Sequence, residues 1–170
     1  MASAAQLAAL KAVVPAAQDS FRKWGVPASV TLAQWIFESS WGTSKLSLLA
    51  HNFFGIKAMQ VNVPDTYEAF PTAEYVQGRR VIVEALFEKF ADEDGSFDAH
   101  GRLLATAARY KLAMQASPNP YAFAVGLAKC GYSTAPDYAL MLIGAIHEYG
   151  LAQYDTFPPA SARANQEKAA

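Results

Sequence analysis

The feature that most constrains this chain is a single carboxylate at the end of an otherwise apolar helical segment. Residues 27–40 are apolar apart from a few polar positions, among which Thr31, Gln34 and Glu38 recur at steps of three and four. That spacing puts them on one stripe of a helix, so Glu38 is predicted to lie on a mostly buried helix. Pro27 suits the first turn of this helix, and Gly42 ends the segment where a substrate can approach.

A carboxylate in such a place favours acid chemistry. Removing an ionised carboxylate from water raises its pKa, and a carboxylic acid that keeps its proton near neutral pH can donate it to a leaving group. The predicted apolar wall around Glu38 consists of Trp35, Phe37 and Trp41. The alternative is a partly exposed glutamate near a helix end, or one satisfied by Ser39 and Ser40, and the pattern alone leaves both interpretations open.

The composition limits the class of protein. A chain of 170 residues that is 52% hydrophobic and 17% charged fits one compact domain and excludes a disordered protein. A net charge of -1 gives no reason to expect nucleic acid as a partner. Cys130 is the only cysteine, which excludes an intrachain disulfide, and the three histidines lack a short metal-ligand spacing.

No apolar run approaches the roughly 20 residues that a membrane-spanning helix needs. At the N-terminus, Gln6, Lys11 and Gln18 interrupt the apolar residues, so the chain as written is predicted to lack its own secretion signal. We therefore expect no membrane insertion, and either a mature form or export by another route.

The predicted fold is α+β and mainly α. Residues 3–24 have helical spacing, although Pro15 is predicted to break or kink that helix. Aromatic and β-branched residues between turn formers over residues 52–90 predict a small antiparallel β lobe inserted after the helix that carries Glu38. Further helices are predicted from a Ser96 cap through Thr106, from Tyr121 to Cys130, and from Pro136 to Gly150. The domain is predicted to cover residues 1–154, with a flexible tail over residues 155–170.

A β lobe inserted into a helical body creates a cleft, which is a common substrate site. Within the lobe, Glu74 offers a second carboxylate beside the ring of Tyr75. Glycoside hydrolysis usually needs a proton donor together with a base or a nucleophile, so Glu38 and Glu74 form a chemically sensible pair. Taken alone, Glu74 is more often a solvated strand residue.

Four strings together resemble, in order, the motifs of glycoside hydrolase family 73, the peptidoglycan N-acetylglucosaminidases. Their match runs over about residues 13–149. The strings are Ala33-Gln34 with Glu38-Ser39-Ser40-Trp41-Gly42, then Asn52-Phe53-Phe54-Gly55-Ile56-Lys57, then Thr72-Ala73-Glu74-Tyr75, and finally residues 131–139, Gly-Tyr-Ser-Thr-Ala-Pro-Asp-Tyr-Ala.

The resemblance implies a lysozyme-like fold and cleavage of the β-1,4 bond after N-acetylglucosamine in peptidoglycan glycan strands. It implies that Glu38 is the general acid, that Glu74 is the second carboxylate, and that Tyr132 orients or stabilises the reacting sugar. Tyr138 is expected to pack beneath Tyr132 rather than touch substrate. The substrate-binding candidates are Trp41, Asn52, Phe54 and Tyr75, of which Asn52 has a structural role as its alternative.

Three positions depart from the family pattern. Ala135 stands where an aspartate is common, Ala99 stands where an acidic residue is frequent, and Phe90 replaces a usual tyrosine. These changes affect supporting hydrogen bonds and leave Glu38, Glu74 and Tyr132 in place.

Two mechanisms stay open. In the first, Glu74 activates a water molecule and the product is inverted. In the second, which we slightly favour, the substrate's own acetamido group attacks and the configuration is retained. Neither route requires a metal or an organic cofactor. We expect a monomer that acts on peptidoglycan in the periplasm or cell wall.

Two other functions compete with this interpretation. One is a muramidase or lytic transglycosylase, which also uses one buried glutamate. The other is a non-catalytic glycan-binding module on the same scaffold, against which the retention of Glu38, Glu74 and Tyr132 argues.

Overall fold

The computed structural model describes residues 2–58, 65–76 and 79–156, without the side chains at 73–76 and 80. In this part of the chain a helical body carries a two-stranded antiparallel sheet, which confirms the predicted α+β, mainly α fold. None of these helices is long and apolar enough to cross a membrane. The α-helices are α1 Ala4–Trp24, α2 Ala28–Glu38, α3 Lys45–Ala50, α4 Glu93–Thr106, α5 Lys111–Met114, α6 Pro120–Lys129 and α7 Tyr138–Glu148.

Helix α1 is continuous through Pro15, so of the two predicted effects of this proline, a break or a kink, the break is wrong. Ser3 begins the helix as its N-cap with a reciprocal bond to Gln6, and Gly25 ends it in the left-handed region at φ 77°. Pro15 lies on the exposed side, where water can satisfy the carbonyl group that loses its partner. The opposite side of α1 is buried, and its packing holds the helix together through the proline.

Helix α2 is the centre of the body, and residues 28–36 are all buried. Its N-terminus has no side-chain cap of its own. Asp155 supplies one from the far end of the chain, since its carboxylate accepts hydrogen bonds from the Ser29 amide at 2.9 Å and the Ser29 hydroxyl at 2.7 Å. Asp155 belongs to a 3₁₀ helix, Leu151–Asp155, so its predicted place in a flexible tail is wrong. Thr156 is also described, and residues 157–170 of the predicted tail lie outside the described residues.

The β lobe is a hairpin of β1 Tyr67–Val76 and β2 Arg79–Glu88, within the predicted span. Residues 56–58 pair with the end of β2, because the Ala58 amide donates to Leu86 and the Glu88 amide donates to Ile56, both at 2.9 Å. The Phe90 amide donates to the carbonyl of Ala50 at the end of α3. The base of the lobe is therefore joined to the helical body on both sides.

Helix α4 begins earlier than predicted, because Asp92 and not Ser96 is its N-cap. Ser96 is buried within the helix, where its hydroxyl accepts a hydrogen bond from the amide of Phe53. Two hydrogen bonds join α4 to α1: the Ser20 hydroxyl donates to the Phe97 carbonyl at 2.9 Å, and the Trp24 indole donates to Asp98 at 2.8 Å.

The last helices complete the body. Asn119 caps α6 and Pro120 is its first residue, close to the prediction. Helix α7 begins at Tyr138, two residues after the predicted Pro136, and Gly150 follows its end. Helices α5 and α6 touch at Gly126, where a Cβ atom would lie 2.6 Å from the Cα of Ala113.

Two helical glycines give a matched test of this packing. Gly126→Ala is expected to lower the free energy of unfolding by about 1–3 kcal/mol, since the backbone of Ala113 cannot yield to the methyl group. Gly144→Ala in α7 meets open space, so helix propensity alone is expected to raise stability by up to about 1 kcal/mol. Urea denaturation measures both. Equal effects of the two substitutions would contradict the close packing of α5 on α6.

Candidate active site

Helix α2 sets the position of Glu38. Thr31 and Gln34 are fully buried, whereas Glu38, the last residue of the helix, is exposed. The predicted helical stripe of these three residues thus runs from the core of the domain to its surface. The sequence-based expectation of a mostly buried helix holds for residues 28–36, and the partly exposed glutamate at a helix end is the better description of Glu38 itself.

The residues after Glu38 end the helix with an unusual turn. The hydroxyl of Ser39 donates to the carbonyl of Trp35 and accepts from the amide of Gly42 at 2.7 Å, so this buried serine closes the helix end. Ser40 and Trp41 then take left-handed backbone angles, with φ of 52° and 61°, at a cost of about 1–2 kcal/mol each. A Cβ atom on Gly42 would lie 3.0 Å from the Trp35 ring, which explains a glycine there.

A group of tyrosines lies beside Glu38. The rings of Tyr132 and Tyr138 stack with centroids 5.5 Å apart and an angle of 14°, and Tyr110 packs on Tyr132 at 5.8 Å. The guanidinium of Arg109 lies 4.5 Å from the centroid of the Tyr110 ring. The predicted packing of Tyr138 beneath Tyr132 is therefore found.

Tyr138 also has a role that the sequence did not reveal. The amide group of Gln34 donates to the Tyr138 hydroxyl at 2.9 Å, and that hydroxyl donates in turn to the Glu38 carboxylate. A side chain in the core is thereby linked through one phenol to the exposed carboxylate. The only sequence signal is that Gln34 and Glu38 share a helical face, which does not identify a partner in α7.

The surroundings raise the pKa of Glu38. Desolvation by neighbouring protein is the larger cause, and the hydrogen bond from Tyr138 partly offsets it because it favours the ionised form. Burial and the nearby Glu38 carboxylate raise the pKa of Tyr132 and of Tyr138 well above the usual value for a phenol. Both phenols therefore stay neutral and can act as hydrogen-bond donors around physiological pH.

The three residues of the predicted apolar wall, Trp35, Phe37 and Trp41, differ in their exposure. Trp35 is buried at 1% exposure and meets Trp41 edge to face at 6.3 Å, while Trp41 packs in the same way on Tyr149 at 5.1 Å. Phe37 is 41% exposed. The described side chain that bonds to the carboxylate is the phenol of Tyr138, on helix α7.

Two predicted substrate contacts, Asn52 and Phe54, lie in the interior. The amide of Asn52 donates to the carbonyls of Ile56 and Glu88, each at 2.8 Å, and its oxygen accepts from the Ile56 amide at 3.0 Å. Asn52 is 1% exposed, and these three hydrogen bonds tie its side chain to the base of the β lobe. The burial of Asn52 and these bonds favour its structural alternative.

Phe54 is 5% exposed and stacks on the ring of His100 at 4.0 Å. Burial lowers the pKa of His100 to about 3, so this histidine is neutral at physiological pH and serves as a flat core side chain. Neither ring nitrogen of His100 has a hydrogen-bond partner among the described residues. Phe54 and Phe53 both face the core and contact Phe97 instead of a cleft.

The other predicted site residues divide in two groups. Trp41 is partly exposed at the end of α2, and Tyr132 lies against Tyr138 beside Glu38. Glu74 and Tyr75 belong to β1, paired with Val81 and Arg80, but their side chains lie outside the described part of the structure. Among the residues whose side chains the structure describes, no group of three His, Cys, Asp or Glu residues is close enough together to hold a metal ion.

The helical body, the β hairpin and the carboxylate at the end of the central helix are the fold of a lysozyme-like glycoside hydrolase domain, as comparison with known proteins shows. The family model described as mannosyl-glycoprotein endo-beta-N-acetylglucosaminidase matches residues 14–151. The chain therefore belongs to the glucosaminidase family, glycoside hydrolase family 73, as its motifs predicted.

Individual proteins with similar sequences are peptidoglycan hydrolases or glucosaminidases by name. The exo-glucosaminidase LytG of Bacillus subtilis is 34% identical over 149 residues, which cover 85% of this chain and 51% of LytG. The peptidoglycan hydrolase FlgJ of Vibrio cholerae is 33% identical over 128 residues, 74% of this chain and 38% of FlgJ. The chain thus spans about half or less of the length of these relatives.

Among solved structures, the catalytic domain of the autolysin Auto from Listeria monocytogenes superposes with a TM-score of 0.79 at 26% identity. The superposition covers 91% of this chain and 89% of the autolysin chain. The fold is thus shared over nearly the whole domain.

The raised pKa of Glu38 predicts an effect on stability. The folded chain holds this proton more tightly than the unfolded chain, so wild-type stability falls as pH rises from the unfolded toward the folded pKa. Glu38→Gln removes this loss of stability. The stability of the variant relative to wild type is therefore expected to increase from acid to neutral pH. Because the carboxylate is partly exposed, the gain should not exceed about 1 kcal/mol.

Thermal unfolding between acid and neutral pH measures this difference. Glu84→Gln, which removes an exposed carboxylate from β2, is the control for a simple loss of charge. A Glu38→Gln protein that is less stable than wild type at neutral pH would contradict the desolvation of Glu38.

Proposed function

We propose that this domain hydrolyses the β-1,4 bond after N-acetylglucosamine in peptidoglycan glycan strands, with Glu38 as the general acid. The single observation that carries the proposal is that Glu38 is an exposed residue at the end of α2 whose carboxyl group is nevertheless desolvated, which raises its pKa. An acid of this kind is accessible to a polymeric substrate and still holds a proton to donate. Membership of the glucosaminidase family supports the choice of bond.

The neighbouring groups suit each stage of such a reaction. Protonated Glu38 gives its proton to the oxygen that leaves with the next sugar, and positive charge develops at the anomeric carbon. The carboxylate that remains is stabilised by the hydroxyl of Tyr138, which already donates to Glu38. Tyr132 is a neutral phenol beside this position and orients or stabilises the reacting sugar. Trp41 and Tyr75 are proposed to contact neighbouring sugars.

The attacking group defines two routes. In the first, Glu74 activates a water molecule and the product is inverted; in the second, the acetamido oxygen of the substrate attacks and the configuration is retained. We favour the second, because N-acetylglucosamine carries that group at the cleaved position. Proton NMR of the newly formed product separates the two by the anomer that appears first.

The substrate fixes where such an enzyme works. Peptidoglycan lies outside the cytoplasmic membrane, so we propose that the domain acts in the periplasm or cell wall, as a monomer. Neither the acid step nor either form of attack calls for a metal ion or an organic cofactor.

Glu38→Gln is expected to lower the rate of peptidoglycan hydrolysis by about 10²–10⁴-fold, the usual contribution of a general acid. Folding and sedimentation with insoluble peptidoglycan should persist, because the amide keeps the shape of the side chain. Release of soluble fragments measures the rate, and Asp94→Asn, an exposed change in α4, is the matched control. A variant with appreciable residual turnover would remove Glu38 from the acid role.

Mass spectrometry of the fragments identifies the cleaved bond. Fragments with N-acetylglucosamine at the reducing end support the proposal, whereas reducing muramic acid or anhydromuramic acid would show a muramidase or a lytic transglycosylase. Binding by the wild type without any release of fragments would show a non-catalytic module.

A further inference from the structure

Gln34 is the innermost member of the chain of hydrogen bonds that ends at Glu38. It lies one turn before Glu38 on α2 and is fully buried. Its side-chain nitrogen donates to the Tyr138 hydroxyl at 2.9 Å, and its side-chain oxygen has no hydrogen-bond partner among the described residues. In the described structure, the hydrogen bond of this buried side chain therefore goes to the residue that is bonded to the proposed acid.

The direction of this bond determines where the phenol proton of Tyr138 goes. Tyr138 is 4% exposed, so its hydroxyl proton needs an acceptor within the protein. The side-chain nitrogen of a glutamine only donates, and it therefore cannot take that proton. Glu38 is also bonded to the hydroxyl, so the phenol proton is directed to the Glu38 carboxyl group.

The bond from Tyr138 also determines which oxygen of Glu38 carries a proton. In the protonated carboxyl group one oxygen is a carbonyl, which is the better acceptor, and the other oxygen is a hydroxyl. Because Tyr138 donates to the carbonyl oxygen, the Glu38 proton lies on the other oxygen and is turned away from Tyr138. Glu38 is an exposed residue at the end of α2, so a proton turned in this direction is accessible from outside the core.

We propose that Gln34 is a positioning residue for the proposed reaction: by donating to Tyr138 it directs the phenol proton to Glu38 and keeps the Glu38 proton turned toward the substrate. This inference rests on the proposed function. Gln34 is fully buried, so it acts through Tyr138 and does not touch the substrate. Without the amide donor, the phenol oxygen is free to accept the Glu38 proton, which then points into the protein.

The other ionisable groups around this site are unchanged when Gln34 is replaced. Tyr132 stacks on Tyr138, and Tyr110 packs on Tyr132. Arg109 supplies a positive charge that acts on Tyr132 and on Tyr110. Since Gln34 carries no charge, an uncharged replacement leaves these electrostatic influences on the proposed acid as they are, and only the hydrogen bond to Tyr138 is lost.

Two substitutions remove the donor from Tyr138. Gln34→Met keeps the length of the side chain without its amide, and Gln34→Asn keeps an amide but is one carbon too short to reach the phenol. Thr31→Val is the matched control, since Thr31 is a second fully buried polar residue of α2 and its hydroxyl has no partner among the described residues. Thermal unfolding establishes which variants are folded, and either of the two Gln34 variants is sufficient for the test.

The first measurement is the titration midpoint of the Glu38 carboxyl carbon by NMR, which needs no substrate. We expect each Gln34 variant to raise the midpoint by about 0.5 pH unit, the equivalent of one neutral hydrogen bond, and Thr31→Val to leave it unchanged. The rise follows because the phenol becomes a weaker donor to the ionised form of Glu38 and a possible acceptor from the protonated form.

The sign of this change decides between two directions of the bond. A glutamine that accepted the phenol proton would compete with Glu38 for it, and loss of that glutamine would lower the Glu38 midpoint. A midpoint that falls, or that stays at the wild-type value, in a folded Gln34 variant would therefore overturn the proposal.

The second measurement separates catalysis from folding and binding. On soluble glycan strands we expect the plateau kcat of Gln34→Met to fall about fivefold, the rate equivalent of one neutral hydrogen bond, with KM unchanged. The alkaline limb of the kcat profile should move to higher pH together with the Glu38 midpoint. In a Tyr138→Phe background, which lacks the phenol, Gln34→Met should change neither the midpoint nor kcat, because the two residues act as one unit.

Additive effects of Gln34→Met and Tyr138→Phe would overturn the proposal, because Gln34 would then act by packing and not through the phenol. A rise in KM with unchanged kcat would overturn it as well. If the wild type cleaves no glycan strand, the proposed function fails, whereas the carboxyl titration still decides whether Gln34 directs the Tyr138 proton to Glu38.

Discussion

The hydroxyl group of Tyr138 is the contact on which the rest of the site depends. It accepts a hydrogen bond from Gln34 in the core and donates one to Glu38 at the surface, so it joins the two chemically different ends of one helical stripe. Both partners belong to α2, whereas Tyr138 begins α7. The position of the carboxylate is therefore fixed by the packing of two helices and not by a local turn.

The ends of α2 are held in a way that serves the same purpose. Asp155 caps its first turn from the end of the described chain, and Ser39 closes its last turn through the Trp35 carbonyl and the Gly42 amide. The left-handed Ser40 and Trp41 then turn the backbone away. These contacts fix the residues around Glu38, so the carboxylate proposed as the proton donor lies at the end of a rigid element, as a group that must hold its direction requires.

Much of this arrangement could be predicted from local sequence. The helix is predicted by the spacing of Thr31, Gln34 and Glu38, and the hairpin by its β-branched residues. Both predictions rest on local periodicity, which the folded structure retains. The error at Pro15 arose because local propensity says nothing about which side of a helix faces water. Asn52 was ambiguous for a similar reason, since a polar residue can bind sugar or hold buried carbonyls, and only its burial decides between them.

The tyrosine environment could not be predicted in detail, because it is a tertiary contact between distant segments. The sequence placed Tyr138 under Tyr132, and the stacking at 5.5 Å agrees. It gave no sign that the same hydroxyl reaches Glu38. Neighbours along a helix are easy to infer, while neighbours across a helix interface depend on the whole fold.

The most direct test of the account is a carbon NMR titration of the Glu38 carboxyl group, assigned by its absence in Glu38→Gln. The account predicts a midpoint above the ordinary glutamate value in the wild type, and a still higher midpoint in Tyr138→Phe, because that variant lacks the bond that favours the ionised form. A wild-type midpoint at or below the ordinary value would contradict it. So would a Tyr138→Phe midpoint that does not move upward.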